Sequence, residues 1–514
     1  MSDTPTGAEA GSIPNGVPKD RCGYTLDTDD VPEIIDAVSC WRPVWNDSEQ
    51  CIWHADVENK PITELRKACS DQIEQLDGAI LRSIEAEGFD WLSGCRLIRA
   101  DLTEAHFPDA DLSNADLFGA DFTEADLSGA NLANAYLPEA DFTKASLRKT
   151  KLIDASLDDA ILTDADLYRA NLADAILPKA DFTNARLQEA NLIGAVPREA
   201  DFTNASLPGA YFTNADLSQA NLINTYLHRA NLISANLDGA DLTGADLREA
   251  NLRHTTLAEA RLTETKITNA DAKYAEFERA TLTRTDFFDA NLIGARFYGA
   301  TFDDTKINRG TEFGEHYADD LDGIDGEDLD DEEATPWDKA AWTYRQLEEL
   351  ARRNALPEQA REAFKRRKDI RRDELWQKLW NDRDWGSFRN WGYSKGLSVV
   401  MRYGASPWRV VRVSGGVIGI WSVLYLLLGS IYVPEGFPDS ETIGQNFFPV
   451  LSLPTPLTEW GISLYFSVVT FTTLGYGDLQ PASGAAQALA TIESFLGALL
   501  IALLVFVLGR RSTW

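Results

Sequence analysis

Residues 110–122 read Ala110-Asp111-Leu112-Ser113-Asn114-Ala115-Asp116-Leu117-Phe118-Gly119-Ala120-Asp121-Phe122, an alanine followed two residues later by Leu or Phe and the same again every five residues. Stepping by five from Leu97 to Ile307 gives 43 such repeats without an insertion. A period of five is neither 3.6 nor 2, which excludes an ordinary amphipathic helix and a flat strand. The chain must therefore turn a corner in each repeat. Small and medium apolar groups are what a narrow interior admits, so Ala and Leu or Phe point inward and Asp, Glu, Thr and Asn point outward.

A second period counts the corners in one coil. Thr103, Thr123, Thr143, Thr163, Thr183 and Thr203, then Thr243, Thr263 and Thr283, are spaced by 20 or a multiple of it, with Ile223 breaking the series. Phe122, Phe142, Phe182 and Phe202 share one phase, and Asn131, Asn171, Asn191, Asn231, Asn251 and Asn291 share another. Twenty residues per coil means four faces with equivalent side chains stacked. At roughly 4.8 Å between neighbouring backbones, about eleven coils make a tower roughly 50 Å long. The threonine columns are expected to form stacking ladders rather than ligand sites. Val196-Pro197 and Ala272 interrupt the pattern and are expected to widen a coil there.

The pattern A-[DN]-[LF]-x-x resembles the pentapeptide-repeat family. The resemblance implies a right-handed β-helix of square cross-section.

A second stretch sets the other half of the reading. Thr470-Phe471-Thr472-Thr473-Leu474-Gly475-Tyr476-Gly477-Asp478 lies between two apolar segments, residues 413–433 and 485–508, each without a basic residue. It resembles the selectivity filter of tetrameric two-helix potassium channels, in which four loops turn backbone carbonyls inward to replace the hydration shell of the ion. Glycines allow the dihedrals that aim successive carbonyls one way. The resemblance assigns Thr473, Leu474, Gly475, Tyr476 and Gly477 to potassium ions, and Thr470, Asp478 and Glu493 to filter support. Leu474 stands where the family usually has valine. Gly497 lies where the family carries the hinge glycine of its inner helix, and a packing role is the alternative. Glu493 is the one charge in its span, and intramembrane acids default to function; bracing the pore helix is preferred to direct ion contact.

Both apolar segments are long enough to span a membrane. Arg402, Arg409 and Arg412 precede the first, and Arg510 and Arg511 follow the second, so both chain ends are expected in the cytoplasm. Residues 458–472 are expected to re-enter as a short pore helix. One filter loop per chain cannot enclose an ion, so the resemblance implies a homotetramer. No span carries basic residues at every third position, so a voltage sensor of the usual type is not expected.

The formal charge is −33, from 81 acidic and 48 basic residues. Such acidity disfavours nucleic acid as a partner and fits adaptation to a salt-rich cytoplasm. Residues 336–412 depart from it, with 18 Lys and Arg against 10 Asp and Glu, a local +8 that leaves −41 elsewhere. Within them, helices are expected over residues 338–353 and 357–380. The second carries Lys365, Arg366, Arg367, Lys368, Arg371 and Arg372, and with Trp376, Trp380, Trp385 and Trp391 nearby it is expected to face membrane lipids. Residues 310–335 hold twelve acidic and no basic residues and read as a solvated linker without the oxygen spacing of a calcium loop.

The N-terminal segment opens with no secretory signal. Residues 61–87 read as a helix, with Pro61 suited to its first turn. Cys22, Cys40, Cys51 and His54 could supply four zinc ligands, but their spacing matches no common pattern, and a buried reduced thiol cluster is the preferred reading. Cys69 and Cys95 bring the cysteines to five.

The chain thus reads as a multidomain protein. Residues 1–20 form a disordered N-terminus, 21–94 a small capping domain, 95–310 a right-handed quadrilateral β-helix (a pentapeptide-repeat solenoid), 311–335 an acidic linker, 336–400 a basic α-helical region at the membrane, and 401–514 an all-α two-transmembrane-helix pore domain with a re-entrant filter loop. The expected function is a homotetrameric potassium-selective channel of the cell membrane, with no cofactor besides potassium ions in the filter. Its repeat domain is expected to take an unidentified cytoplasmic partner or ligand. No nucleophile, base or phosphate loop marks an enzyme. The alternative is a membrane-anchored DNA mimic or interaction scaffold, since some pentapeptide-repeat proteins imitate duplex DNA.

Overall fold

The computed structural model describes residues 21–25, 40, 42–46, 48–68, 75–313, 335–381, 385–404, 406–428, 431–432, 455–474 and 479–511. The chain divides into two units, Met1–Asp328 and Leu329–Trp514.

The first unit is a four-sided β-helix. Nearly every repeat makes one short parallel bridge to the equivalent residue of the next coil, usually 20 further on, as in Asp111 to Asn131 and Asn131 to Lys151. Backbone bonds run along the axis, with Asn131 donating to the Ala110 carbonyl at 2.8 Å and Leu112 to that of Asn131 at 2.8 Å. A further bond closes each corner, as from Ala115 to the Leu112 carbonyl. The last residue of each corner lies in the left-handed region, for example Asn114 at φ 57° and Gly119 at φ 59°. Asn and Gly tolerate that region best, but Glu139, Lys179 and Tyr274 also adopt it.

The interior follows the expected pattern. Ala110, Leu112, Ala120, Phe122 and their equivalents are buried throughout. Phenylalanines one coil apart stack face to face, Phe122 on Phe142 at 4.8 Å and Phe182 on Phe202 at 4.7 Å. Where threonine replaces alanine inside, its hydroxyl donates to a carbonyl of the preceding coil, as Thr225 does to Phe202 at 2.8 Å, so no interior polar atom there is stranded.

The outward columns differ from expectation. Thr143 donates both its amide and its hydroxyl to Asp141 of its own corner, at 2.8 and 2.5 Å. The same pairing recurs at Thr203–Asp201 and Thr243–Asp241. These threonines lock corners, and it is the asparagines that bridge coils: Asn131 donates to Asp111 at 3.0 Å and Asn191 to Asn171 at 2.9 Å. A carboxylate two residues upstream is the nearer acceptor, which explains the Asp or Asn before each inward Leu or Phe.

The helix expected over residues 61–87 is much shorter. Helix α1 spans Ile62–Ala68, and residues 75–95 form the first coil. In it Ile84 and Phe89 occupy positions that alanine fills later, and Ala86 takes a position of Leu. That exchange of sizes hides the repeat. One extra residue before Leu92 makes this coil 21 residues long, as the bridges Gln75 to Arg96 and Ile80 to Asp101 record. Pro197 does not open its coil. It is buried and the bridge from Ile176 to Val196 persists. Lacking an amide, it cannot make the bond to the Asp216 carbonyl that this position makes in other coils, and no bridge joins Val196 to Asp216. The flanking bonds from Asp216 to the Ala195 carbonyl at 2.9 Å and from Glu199 to that of Ser218 at 3.0 Å keep the coils together. The 20-residue register also holds across Ala272.

The second unit is helical. Helix α2, Pro336–Arg353, begins with a capping box between Thr335 and Asp338 and packs against α3, Pro357–Asn381. Ion pairs cross between them, Arg371 to Asp338 at 2.7 Å and Arg367 to Glu348 at 2.9 Å. The basic residues expected to face lipid are largely engaged within the protein. Lys365 and Arg366 pair with Glu362, and Arg372 pairs with Asp369 and Asp373. Helix α4, Trp385–Met401, follows, and a short turn over Arg402–Gly404 leads into α5, Pro407–Leu428. Strand β1, Ile431–Tyr432, then helix α6, Thr455–Phe471, strand β2, Gln480–Pro481, and helix α7, Gly484–Arg511, complete the unit.

Candidate functional site

Helices α5 and α7 are each long and apolar enough to cross a membrane. Their apolar side chains are widely exposed, Leu427 at 76% and Phe495 at 70%. A single water-facing chain would not show such surfaces, which need lipid or neighbouring chains. Between them lies α6, too short to span and packed against both. Strand β1 after α5 pairs antiparallel with β2 before α7, which ties the C-terminal end of α5 to the N-terminal end of α7.

Glu493 is fully buried where the three helices meet. Tyr425 of α5 donates its hydroxyl to the carboxylate at 2.9 Å. The Ser467 hydroxyl of α6 reaches both that carboxylate and the Ile418 carbonyl of α5, the latter at 3.0 Å. One acid thereby holds α5 and α6 at fixed spacing. Tyr425 also packs edge-on to Phe466 with ring centres 4.9 Å apart. Neither Tyr425 nor Ser467 stood out in the sequence. A hydroxyl inside an apolar helix was the available signal, and nothing in the spacing linked it to Glu493.

Just beyond Glu493, α7 meets the end of α6. Ser494 donates to the Thr470 carbonyl at 3.1 Å, so Thr470 is held through its backbone. Gly497 lies so close to Phe471 that a β-carbon there would overlap the Phe471 carbonyl. Phe471 joins Val410, Leu500 and Val507 in one apolar cluster. Helix α7 is continuous from Gly484 through Arg511, so close packing accounts for glycine at 497 without a bend.

The chain leaves α6 through a tight turn. The Thr473 amide bonds to the Thr470 carbonyl and the Leu474 amide to that of Val469, each at 3.2 Å. Thr473 has φ 59°, unusual for a β-branched residue, and Leu474 is 60% exposed. Gly475, Tyr476, Gly477 and Asp478 lie outside the described residues, as does Cys69. The next described residue, Leu479, packs with Tyr425 and Phe466.

The four sequence-predicted metal-ligand residues of the first unit converge. The sulfurs of Cys22, Cys40 and Cys51 and a ring nitrogen of His54 all lie within 4.8 Å of one another, and all four residues are buried. Cys40 and Cys51 are 3.7 Å apart at sulfur, well beyond a disulfide bond. Burial opposes charge on His54, but its bonds with the thiols of Cys22 and Cys40 outweigh that and raise its pKa to about 9.

Residues 95–304 match the pentapeptide-repeat family in eight overlapping copies, and residues 420–513 match a family described as ion channel. No curated protein matches the chain. Among solved structures, HetL, a pentapeptide repeat protein involved in heterocyst differentiation regulation in the cyanobacterium Nostoc sp. strain PCC 7120, is 28% identical over 48% of this chain and 92% of its own, with a TM-score of 0.18. A trypsin-treated form of QnrB1, a plasmid-mediated fluoroquinolone resistance protein, is 19% identical over 46% of this chain and 92% of its own, with a TM-score of 0.23. A pentapeptide repeat protein of the Arabidopsis thaliana thylakoid lumen is 24% identical over 23% of this chain and 68% of its own, with a TM-score of 0.16. Scores this low carry no argument, and the fold rests on the family matches and the coil geometry.

Proposed function

We propose that this chain, a pentapeptide-repeat β-helix joined to an ion-channel domain in one membrane protein, forms a homotetrameric potassium-selective channel. The observation that carries the reading is the order of parts: two membrane-length helices, a short helix between them braced by Glu493, and Thr473-Leu474-Gly475-Tyr476-Gly477 immediately after it. A filter works only if its carbonyls hold their spacing, so that dehydration of the ion is offset ring by ring. Ser467, Tyr425, Ser494 and Gly497 supply rigid support behind it. Asp478 follows the filter and braces its outer mouth.

Four copies around one axis complete the ion path, since each contributes one loop. The apolar faces of α5 and α7 meet lipid and neighbouring chains, with both chain ends in the cytoplasm. The β-helix there binds a partner or ligand and regulates the pore, and its acidic surface keeps it soluble in a salt-rich cytoplasm. The protein is not an enzyme and needs no cofactor for conduction.

Flux from proteoliposomes tests this. Potassium efflux that far exceeds sodium efflux and disappears in Gly477→Asp is expected. Equal passage of the two ions, or flux unchanged by that substitution, overturns the reading.

A further inference from the structure

Three segments far apart in sequence bring soft ligands to one buried point. Cys22 and Cys40 lie on paired extended segments, where Gly23 donates to the Cys40 carbonyl at 2.8 Å and Cys40 to that of Tyr24 at 2.7 Å. Cys51 and His54 lie on one tight turn, with the amide of Ala55 bonded to the Cys51 carbonyl at 2.8 Å. The His54 Nδ1 atom is 3.3 Å from the sulfurs of both Cys22 and Cys51, and the sulfurs of Cys40 and Cys51 are 3.7 Å apart. Around a tetrahedral zinc with bonds of about 2.3 Å to sulfur and about 2.0 Å to nitrogen, such edges would measure about 3.8 and about 3.5 Å. These three edges thus already stand near the spacing the ion requires, and all four donor atoms lie within 4.8 Å of one another.

The support around them is equally specific. His54 Nε2 lies 2.9 Å from the Asp77 carbonyl. A carbonyl can only accept, so Nε2 carries a proton, and Nδ1 is the nitrogen turned toward the three sulfurs, free to bind a metal once any proton on it is released. Metal-bound histidines are held this way, with the far nitrogen donating to a backbone carbonyl or carboxylate. Tyr24 stacks on the other side of the ring at 4.1 Å and 9°. Arg42 directs Nη1 to the Cys40 sulfur at 3.7 Å.

We propose that Cys22, Cys40, Cys51 and His54 form a structural zinc site that fastens the N-terminal cap to the first coil of the β-helix. Three sulfurs and one imidazole form the soft, closed set that zinc takes in structural sites. On binding, the three sulfurs and Nδ1 release the protons they hold to solvent and four metal–ligand bonds form. The centre then carries one net negative charge, which Arg42 offsets. Asp77 belongs to the first coil, so His54 joins metal and coil directly. Lys60 extends the same seam by donating to the carbonyls of Trp53, at 3.1 Å, and Ile80, at 2.5 Å. A solenoid needs its terminal coil covered, and the cap here lies on that edge, with Ile80 donating to the Trp53 carbonyl at 2.7 Å.

Elemental analysis of the full-length protein, purified in detergent without chelators, tests the proposal. About one zinc per chain is expected, with loss of that zinc in Cys51→Ser and in His54→Ala and its retention in Cys95→Ser, whose sulfur lies outside the cluster. Should the first two variants fail to fold, cobalt exchanged into the wild-type chain gives a second readout: intense thiolate-to-cobalt absorption with tetrahedral visible bands supports the site. A folded wild-type chain that takes up neither zinc nor cobalt overturns it, as does a Cys40–Cys51 disulfide found by mass spectrometry, or zinc undiminished in folded Cys51→Ser.

Discussion

Gly497 and Phe471 touch through backbone alone: α7 has no side chain where the carbonyl of the last residue of α6 comes against it. Added atoms at that point must push the end of α6, and with it the turn at Thr473 and Leu474. Gly497→Ala is therefore expected to destabilise the pore domain by about 1–3 kcal/mol, the usual range for overpacking, and to reduce ion flux more than expression. Thermal unfolding and proteoliposome flux measured on the same preparation check both effects.

The network at Glu493 has one replaceable bond and one that is not. Ser467 can fall back on the Ile418 carbonyl, whereas no second acceptor is seen for Tyr425 among its described contacts. Glu493→Ala should then destabilise by about 1–3 kcal/mol, the penalty for a buried hydroxyl left unbonded. Tyr425→Phe in that background should recover most of the loss. A double-mutant cycle measured by denaturant unfolding decides it, and additive losses would refute the pairing.

Interior stacking in the β-helix predicts a large local penalty. Phe202 lies 4.7 Å from Phe182 in a parallel stack and is fully buried. Phe202→Ala should destabilise by about 3–5 kcal/mol, readable by far-ultraviolet circular dichroism as an earlier unfolding transition of the repeat domain. Thr225→Ala restores the residue the repeat prefers and removes one hydrogen bond, so a loss near 1 kcal/mol or less is expected.

Acid should loosen the α2–α3 pair. Burial acts to raise the pKa of Asp338, but its bonds to Thr335 and Arg371 outweigh that and hold it below the usual carboxylate value. A folded-state value depressed in this way contributes stability that is present above about pH 4 and lost as the pH falls through the folded value. Both side chains are more than a third exposed, so solvent screening keeps the contribution under about 1 kcal/mol. Asp338→Asn should flatten the acid limb of a stability–pH profile, and an unchanged limb would refute the assignment.

The tower was legible because its period is stated 43 times in the sequence, and the two spans because each is long and apolar, with Glu493 the one charge in either. The first coil was not, since Phe89 and Ile84 stand where alanine was sought and an inserted residue shifts the phase. Residues 61–87 accordingly read as one helix, whereas the bonds to the next coil make residues 75–87 β-helix. The threonine column was visible, but its partner was not, because periodicity locates a side chain without saying whether it bonds within a corner or across coils. Cys22 and Cys40 are 18 positions apart on paired segments, a proximity that only the folded chain creates. The bracing of Glu493 by Tyr425 and Ser467 likewise depends on three helices meeting.

The most direct test of the central claim is the reversal potential of purified channels in a planar bilayer with potassium on one side and sodium on the other. A filter built on Thr473-Leu474-Gly475-Tyr476-Gly477 predicts a reversal displaced strongly toward the potassium equilibrium potential. A reversal near zero, with current flowing equally in both directions, would contradict it.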